Sequence, residues 1–313
     1  MSQYAVTVIA LTHNQEKYID KVVSSVISQD FSLPYELIIV NDSSSDGTAK
    51  KLEKIIAEND NTRVLSVDFG AASLSRIAGI KEAKGKYITF LDGDDYYHPE
   101  MLKKLYSAIT KNDADLANCS HFYVRKRRIT KDLWRKKKTM NQVETFDAFF
   151  KDSFFRGFMC TKMFKAEVLK NVEFTVPFAH IMFEDVIMSF NIISKCEKAV
   201  SIRDRLFYYN KANEQSATKT NNKRSQAHLN AFALQRYLID VNKNEAILKA
   251  WRKQHIRRKL SLLVDFYFER KTPNKKDHRK LIFKELKMLN SKEPIAIENH
   301  SFEDFIASAI AKK

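Results

Sequence analysis

Residues 87–95 read YITFLDGDD: an apolar run from Tyr87 to Leu91, followed at once by Asp92, Gly93, Asp94 and Asp95. A β-branched and aromatic run of this length predicts a buried strand. The turn that leaves it carries carboxylates at i and i+2 across a glycine, and two such groups can face one cavity and hold a hard divalent cation through oxygen. The cation can in turn hold a diphosphate. D-G is also common surface-turn chemistry, so the letters take their meaning from the strand before them. An EF-hand is excluded, because no Glu stands at its twelfth position.

Working outward, three more short runs predict strands: Ala5 to Leu11 (AVTVIAL), Tyr35 to Val40 (YELIIV) and Thr62 to Val67. Between them Val22, Val23, Val26 and Ile27, then Leu52, Ile55 and Ile56, then Leu74, Ile77 and Ala78 recur at helical spacing, with Gly85 expected as a stop. Strand and helix in alternation predict right-handed crossovers and an α/β fold with a mainly parallel sheet. Ligands of such a sheet bind beyond the carboxyl ends of its strands. Thr12 to Asn14, Asn41 to Asp46 and Asp92 to Asp95 all fall there, and all are polar. Asp42 can accept a hydrogen bond from a nucleobase imide, whereas Ser45 or Asp46 can cap the helix beginning at Thr48.

Farther along, the pattern predicts a helix over Glu100 to Lys111, a strand over Asp115 to Val124, and an amphipathic helix opening at Glu184 and Asp185 and ending near Cys196. Two short β-like pieces, Ala199 to Ile202 and Leu206 to Tyr209, follow. From Asn221 the pattern is helical, and the polar run Lys211 to Asn222 is the expected boundary. The chain therefore divides into a body over residues 1–210 and a basic helical C-terminal region over residues 211–313.

The chain of 313 residues carries a net charge of +16, with 44% hydrophobic and 12% aromatic residues, which excludes wholesale disorder. Residues 211–313 hold 23 bases and 11 acids, and Val124 to Met140 holds nine bases and one acid, so the positive charge lies in a tail and an insert. Such a field attracts polyanions or acidic membrane surfaces, although a solvated Lys-rich face is the ordinary reading of either stretch alone. Cys119, Cys160 and Cys196, odd in number and without CxxC spacing, exclude a disulfide framework and read as small buried hydrophobes. No apolar window reaches membrane-spanning length, and the first residues lack a basic segment followed by a cleavable apolar one, so the expectation is a cytoplasmic protein.

The ordered set resembles the family 2 glycosyltransferases. It comprises VTVIALTHNQEKYIDKVVSSVISQ, YELIIVNDSSSDGT, Gly70 and Arg76 in DFGAASLSRIAGI, YITFLDGDDYYHPEML, Lys162 and Phe164 in CTKMFKAEVL, and FEDV at the mouth of the amphipathic helix. The resemblance implies a Rossmann-like GT-A fold and a UDP-sugar donor, UDP-N-acetylglucosamine or a related hexose donor, bound with Mn2+ or Mg2+. It implies Thr12 and Asn14 beside the base, Asp42 on the uracil edge, Arg76 at the diphosphate or base wall, Asp92 and Gly93 at the ribose or sugar, and Asp94 on the metal. Asp185, with Glu184 beside it, is implied as the catalytic base of an inverting displacement. The sequence departs from the family at Leu11, usually Pro, and at Asp68, usually Asn.

Within that family the chain is similar to enzymes that decorate teichoic acids and other surface polymers. This implies a glycan or polyol-phosphate acceptor, with Arg252, Arg257 and Arg258 on a basic helix as its candidate contacts. Contact with anionic membrane at its inner face and homo-oligomerisation through the C-terminal helices are further expectations; no nucleic acid is expected. Two other functions compete. Nucleotidyl transfer to a sugar phosphate would want a glycine-rich phosphate loop, and LTHNQEKY has no glycine. A non-enzymatic polyanion or nucleic-acid binder suits the charge, but the sequence carries no helix-turn-helix, zinc-finger or RNP signature.

Overall fold

The computed structural model describes residues 3–133, 136–151, 154–174, 184–214 and 245–251. The first half alternates as expected: β1 (Tyr4–Thr12), α1 (Ile19–Ile27), β2 (Tyr35–Asp42), α2 (Thr48–Glu58), β3 (Thr62–Val67), α3 (Ala72–Glu82) and β4 (Gly85–Asp92). These four strands pair in parallel in the order β3-β2-β1-β4. Their central residues, such as Val8, Ile9, Ile38, Ile39, Ile88 and Phe90, are wholly buried, because helices cover both faces. The parallel register fixes function: Thr12, Asp42 and Asp92 all end strands at one edge.

Beyond β4 come β5 (Tyr96–Tyr97), α4 (Met101–Lys111), β6 (Leu116–Arg125), β7 (Arg128–Lys131), β8 (Lys138–Asn141) and α5 (Gln142–Phe150). A single 3-10 turn (Met159–Thr161) leads into β9 (Lys162–Lys165), α6 (Ala166–Lys170), α7 (Glu184–Ile193) and β10 (Lys198–Asn210). The sheet continues β4-β9-β6-β10-β5, with β9 antiparallel between β4 and β6, and β10 parallel to β6. The mainly parallel α/β fold expected from the sequence is present.

Three local expectations change. Gly85 is not a helix stop: α3 ends at Glu82 and Gly85 opens β4, where a Cβ would stand 2.4 Å from the Thr7 backbone nitrogen. The two β-like pieces after residue 198 are one 13-residue strand whose register slips between Ser201 and Phe207. The amphipathic helix ends at Ile193, short of Cys196.

The basic insert forms a hairpin, β6 to β7, turning between Arg125 and Arg128, with its single acid, Asp132, buried at the base. Residues 245–251 are helical, and Ile247, Leu248 and Trp251 join the same buried cluster as the sheet. Arg252, Arg257 and Arg258 lie outside the described residues, as does most of the region expected to mediate oligomerisation. Among the described residues no helix is long and apolar enough to cross a membrane.

Candidate active site

The loops after β1 and β2 are bound to each other. Asn14, at φ 52°, accepts through Oδ1 from the Ser45 backbone nitrogen at 2.7 Å, and its own N–H donates to Ser44 Oγ at 3.0 Å. His13 Nδ1 lies 2.5 Å from the Asp42 carbonyl. The N-cap of α2 is Gly47 and not Ser45 or Asp46, but Asp46 accepts from the Thr48 N–H at 3.0 Å just before it. Asp42 is 6% exposed and does internal work that its sequence context does not reveal. Its Oδ1 accepts from the N–H groups of Phe69 (2.8 Å) and Gly70 (3.0 Å), its Oδ2 from Ala71 N–H (3.1 Å) and Ser75 Oγ (2.8 Å). Burial alone would raise this carboxyl's pKa; the bonds from Gly70, Ser75, Phe69 and Ala71 outweigh it and hold the pKa below the ordinary value. Four donors fill a carboxylate's four acceptor positions, so a base imide would reach Asp42 only by displacing one of them. Asp68 accepts from Ser43 Oγ at 2.5 Å on the same loop.

Arg76, on α3, is 3% exposed and joins two distant parts of the chain. Its Nη2 donates to Asp92 at the end of β4 and its Nη1 to Glu184 at the start of α7, each at 2.8 Å. Burial opposes its charge, but the two carboxylates more than compensate, and its pKa is raised. Glu184 in turn stands beside Asp185. Burial, then the Glu184 charge, pushes the Asp185 carboxyl up to about 7, against the pull of Arg76. A carboxylate poised near neutral pH is suited to general-base chemistry.

Gly93 lies against β1: a Cβ there would stand 2.6 Å from the Leu11 carbonyl oxygen, so no larger residue fits the turn. Asp94 accepts from Asn213 Nδ2 at 2.7 Å. Burial raises its pKa, the Asn213 bond offsets part of that, and the Asp92 charge adds to it. Asp95, 2% exposed, is directed elsewhere, accepting from the Asn210 N–H at 2.7 Å. Thr12 Oγ1, Gln15 Oε1 and Arg76 Nε are buried polar atoms without a hydrogen-bond partner among the described residues, and their residues all adjoin Asp92 or Gly93. Orphaned polar atoms on residues around Asp92 and Gly93 suit a polar ligand.

The carboxylates fit a cation that arrives with its ligand better than a closed cage. Among the described residues no group of three or more His, Cys, Asp or Glu could hold a metal by itself. Asp92 is drawn to Arg76 and Asp95 to Asn210, which leaves Asp94 as the principal donor. One or two carboxylates completed by phosphates and water is the usual way Mg2+ is held on a nucleotide.

Sequence reasoning missed Ser75, Asn213 and the part played by Lys162. Lys162, wholly buried, donates to the carbonyl oxygens of Arg156 and Phe158, the latter at 2.6 Å, and so ties the preceding loop to the start of β9. The T-K-M-F context marked the residue but not its contacts. Asn213 sat in a polar run that reads as a linker.

A family model described as Glycosyl transferase family 2 matches residues 7–172, more than half of the chain, and the chain belongs to that family. The cholesterol galactosyltransferase of Borreliella burgdorferi is 28% identical over 221 residues, 66% of this chain and 60% of that protein. The poly(ribitol-phosphate) beta-glucosyltransferase of Bacillus spizizenii is 29% identical over 207 residues, 65% of this chain and 32% of that protein. The chain therefore spans less than two thirds of these relatives' lengths, about a third of the second. Staphylococcus aureus TarS 1-349 in complex with UDP-GlcNAc superimposes with a TM-score of 0.69 at 20% identity, covering 91% of this chain and 80% of that one. This likeness establishes the GT-A fold.

Proposed function

We propose that this member of glycosyl transferase family 2 moves a sugar from a UDP-sugar, in the first instance UDP-N-acetylglucosamine, to a hydroxyl of a phosphate-bearing surface polymer, with inversion. The observation that carries the reading is the Arg76 bridge between Asp92 and Glu184, because it ties the carboxylate we assign to the donor side to the start of α7, where Asp185 stands. The relatives support the class: one takes poly(ribitol phosphate) as acceptor by its name, another cholesterol.

In this reading the base sits over the β1 and β2 ends, between the Thr12 to Asn14 turn and the loop that Asp42 secures. Asp92 and the backbone at Gly93 receive the ribose and sugar. Asp94 would hold Mn2+ or Mg2+, which when bound supplies a Lewis acid for the diphosphate oxygens. Arg76 holds Asp92 and Glu184 in position and adds positive charge on the leaving-group side. Asp185 takes the proton from the acceptor hydroxyl as that oxygen attacks the sugar C1 from the face opposite the diphosphate. A single displacement converts an α-linked donor into a β product. The 1–210 body carries this chemistry, and residues 211–313 would add acceptor, membrane or oligomer contacts.

The test is transfer from radiolabelled UDP-N-acetylglucosamine to poly(ribitol phosphate) with manganese, alongside UDP release without acceptor. Label in the polymer and its loss in Asp185→Asn support the reading. UDP release from none of a panel of UDP-sugars refutes it.

A further inference from the structure

The β6–β7 hairpin leaves the sheet at the edge where the candidate site lies. β9 runs antiparallel to β4 and β6 antiparallel to β9, so β6 runs parallel to β4 and its carboxyl end emerges on the same side as Asp92. The segment after β10 joins the two. Asn213 donates to Asp94 at 2.7 Å, and the next residue, Glu214, pairs with Lys126 at the hairpin turn.

Residues 125–133 read RKRRITKDL, five bases and one acid. The acid is turned inward: Asp132 is 5% exposed and accepts from Ser120 Oγ at 3.2 Å, with Arg156 Nη2 3.8 Å away. Its charge does not offset the bases outside. Lys126 is balanced by Glu214. Arg125, Arg127, Arg128 and Lys131 are exposed and pair with no acid among the described residues, so the surplus charge of the hairpin is theirs.

Among these bases stand two apolar side chains in water. Ile129 is 57% exposed and Leu133 88%. A single exposed apolar residue is ordinary; two within nine residues, interleaved with four unpaired bases, form a pattern with its own chemistry. Positive charge on an edge strand such as β7 guards against pairing with another strand, and that role asks for no apolar side chain at 129 or 133. A soluble polyanion would be met by the bases alone. An anionic bilayer takes both kinds of group, because headgroup phosphates attract the bases while Ile129 and Leu133 leave water at the boundary with the acyl chains.

We propose that the β6–β7 hairpin docks this chain on an anionic lipid surface, with the edge of the sheet that carries Asp92 and Asp94 turned toward it. Docking of this kind is independent of the transferase reading. If that reading holds, an acceptor displayed at the membrane is presented to the edge where the donor would bind.

The full chain, without donor or metal, is floated with vesicles of phosphatidylcholine, with and without phosphatidylglycerol, at low and high salt. Binding to the anionic vesicles that weakens with salt is expected, with little binding to phosphatidylcholine alone. Arg127→Gln with Arg128→Gln should weaken it about thirtyfold, at about fivefold for each base near the surface. Ile129→Ser with Leu133→Ser should weaken vesicle binding about tenfold, since two apolar side chains no longer gain by leaving water. The same apolar pair should leave binding to soluble long-chain polyphosphate unchanged. Lys50→Gln with Lys54→Gln removes equal charge from exposed positions of α2, which leads into β3 at the other end of the sheet, and should float as wild type. Thermal unfolding checks that all three double variants fold.

Four results overturn the proposal. No preference for anionic vesicles removes the surface, and hairpin variants that float as wild type put any lipid affinity elsewhere in the chain. Equal weakening in the α2 pair reduces the effect to net charge. Vesicle binding untouched by the apolar pair but lost with the arginines makes the hairpin a contact for soluble polyanions instead. Because no turnover is measured, a chain that floats as expected yet releases no UDP from any donor keeps the docking hairpin and loses only the transferase reading.

Discussion

Arg76 and Glu184, 108 positions apart in the chain, meet at 2.8 Å through Nη1 and Oε1, while the other arm of the same guanidinium holds Asp92. A planar fork can do this and a point charge cannot. The pairing ties the carboxyl end of β4 to the amino end of α7 and sets the charge environment of Asp185.

Arg76→Met should therefore lower stability by about 1–3 kcal/mol, below the range for a fully buried ion pair because Asp92 is half exposed. Arg76→Lys should recover part of the stability but little activity, since one ammonium cannot keep both carboxylates in place. Urea unfolding together with UDP release measures both. An Arg76→Met protein as stable as wild type would mean that the bridge does not hold the two elements together.

Asp185→Asn should cut turnover by about 10² to 10⁴ while leaving UDP affinity nearly unchanged, because shape and hydrogen bonding persist and proton acceptance does not. Wild-type turnover should rise with pH through about 7 and then level, tracking the Asp185 carboxylate. Stability runs the other way. With a folded pKa above the unfolded one, the folded state binds the proton more tightly, so stability falls as pH rises from the ordinary carboxyl range to about 7. The Asn variant should then melt higher than wild type at pH 8 and equally at pH 3; a constant difference across that range would remove Asp185 as the raised carboxyl.

The parallel half of the fold was legible because its strands are buried on both faces and read as unbroken apolar runs. β9 was not, since four residues, Lys162 to Lys165, carry too short a period to separate a strand from a turn. β10 looked broken because Arg203, Asp204 and Arg205 interrupt its apolar pattern. In the fold Asp204 pairs with Lys104, and Arg205 donates to the Asp132 carbonyl, so polar residues remain within the strand where its register slips. At the site, the residue types of Asp92, Asp94 and Asp185 could be read, but contacts between remote segments could not. Arg76 with Glu184 and Asp94 with Asn213 depend on how the sheet closes.

Asp42→Ala should destabilise the protein by about 2–4 kcal/mol at pH 7, because it strips three backbone N–H groups and Ser75 of their acceptor. The contribution has a defined sign. The folded pKa lies below the ordinary value, so stabilisation is present above that value and disappears as pH falls through the folded pKa. UDP should bind more weakly to Asp42→Ala by the same factor with and without manganese, since in the proposed reading the loop it shapes borders the base and not the diphosphate. Calorimetry on the variant decides; a loss confined to the manganese series would put Asp42 in the metal's service instead.

Asp94→Ala should remove the manganese dependence of UDP binding and leave a weak, metal-independent affinity. The raised pKa of Asp94 adds a second signature. A cation binds the carboxylate and not the acid, so manganese must displace whatever proton the burial and the Asp92 charge retain there. Below the Asp94 pKa, apparent manganese affinity in the presence of UDP should climb with pH, and each binding event should release a fraction of a proton. Titrations in two buffers of different ionisation enthalpy read that fraction directly. Asn213→Ala, which removes a bond that favours the carboxylate, should raise the Asp94 pKa further and increase the proton release at a given pH above the wild-type value. Asp94→Asn should abolish the carboxyl's share of the release. Proton release that is identical in wild type, Asn213→Ala and Asp94→Asn would assign the metal to another ligand, with Asp92 the nearest alternative.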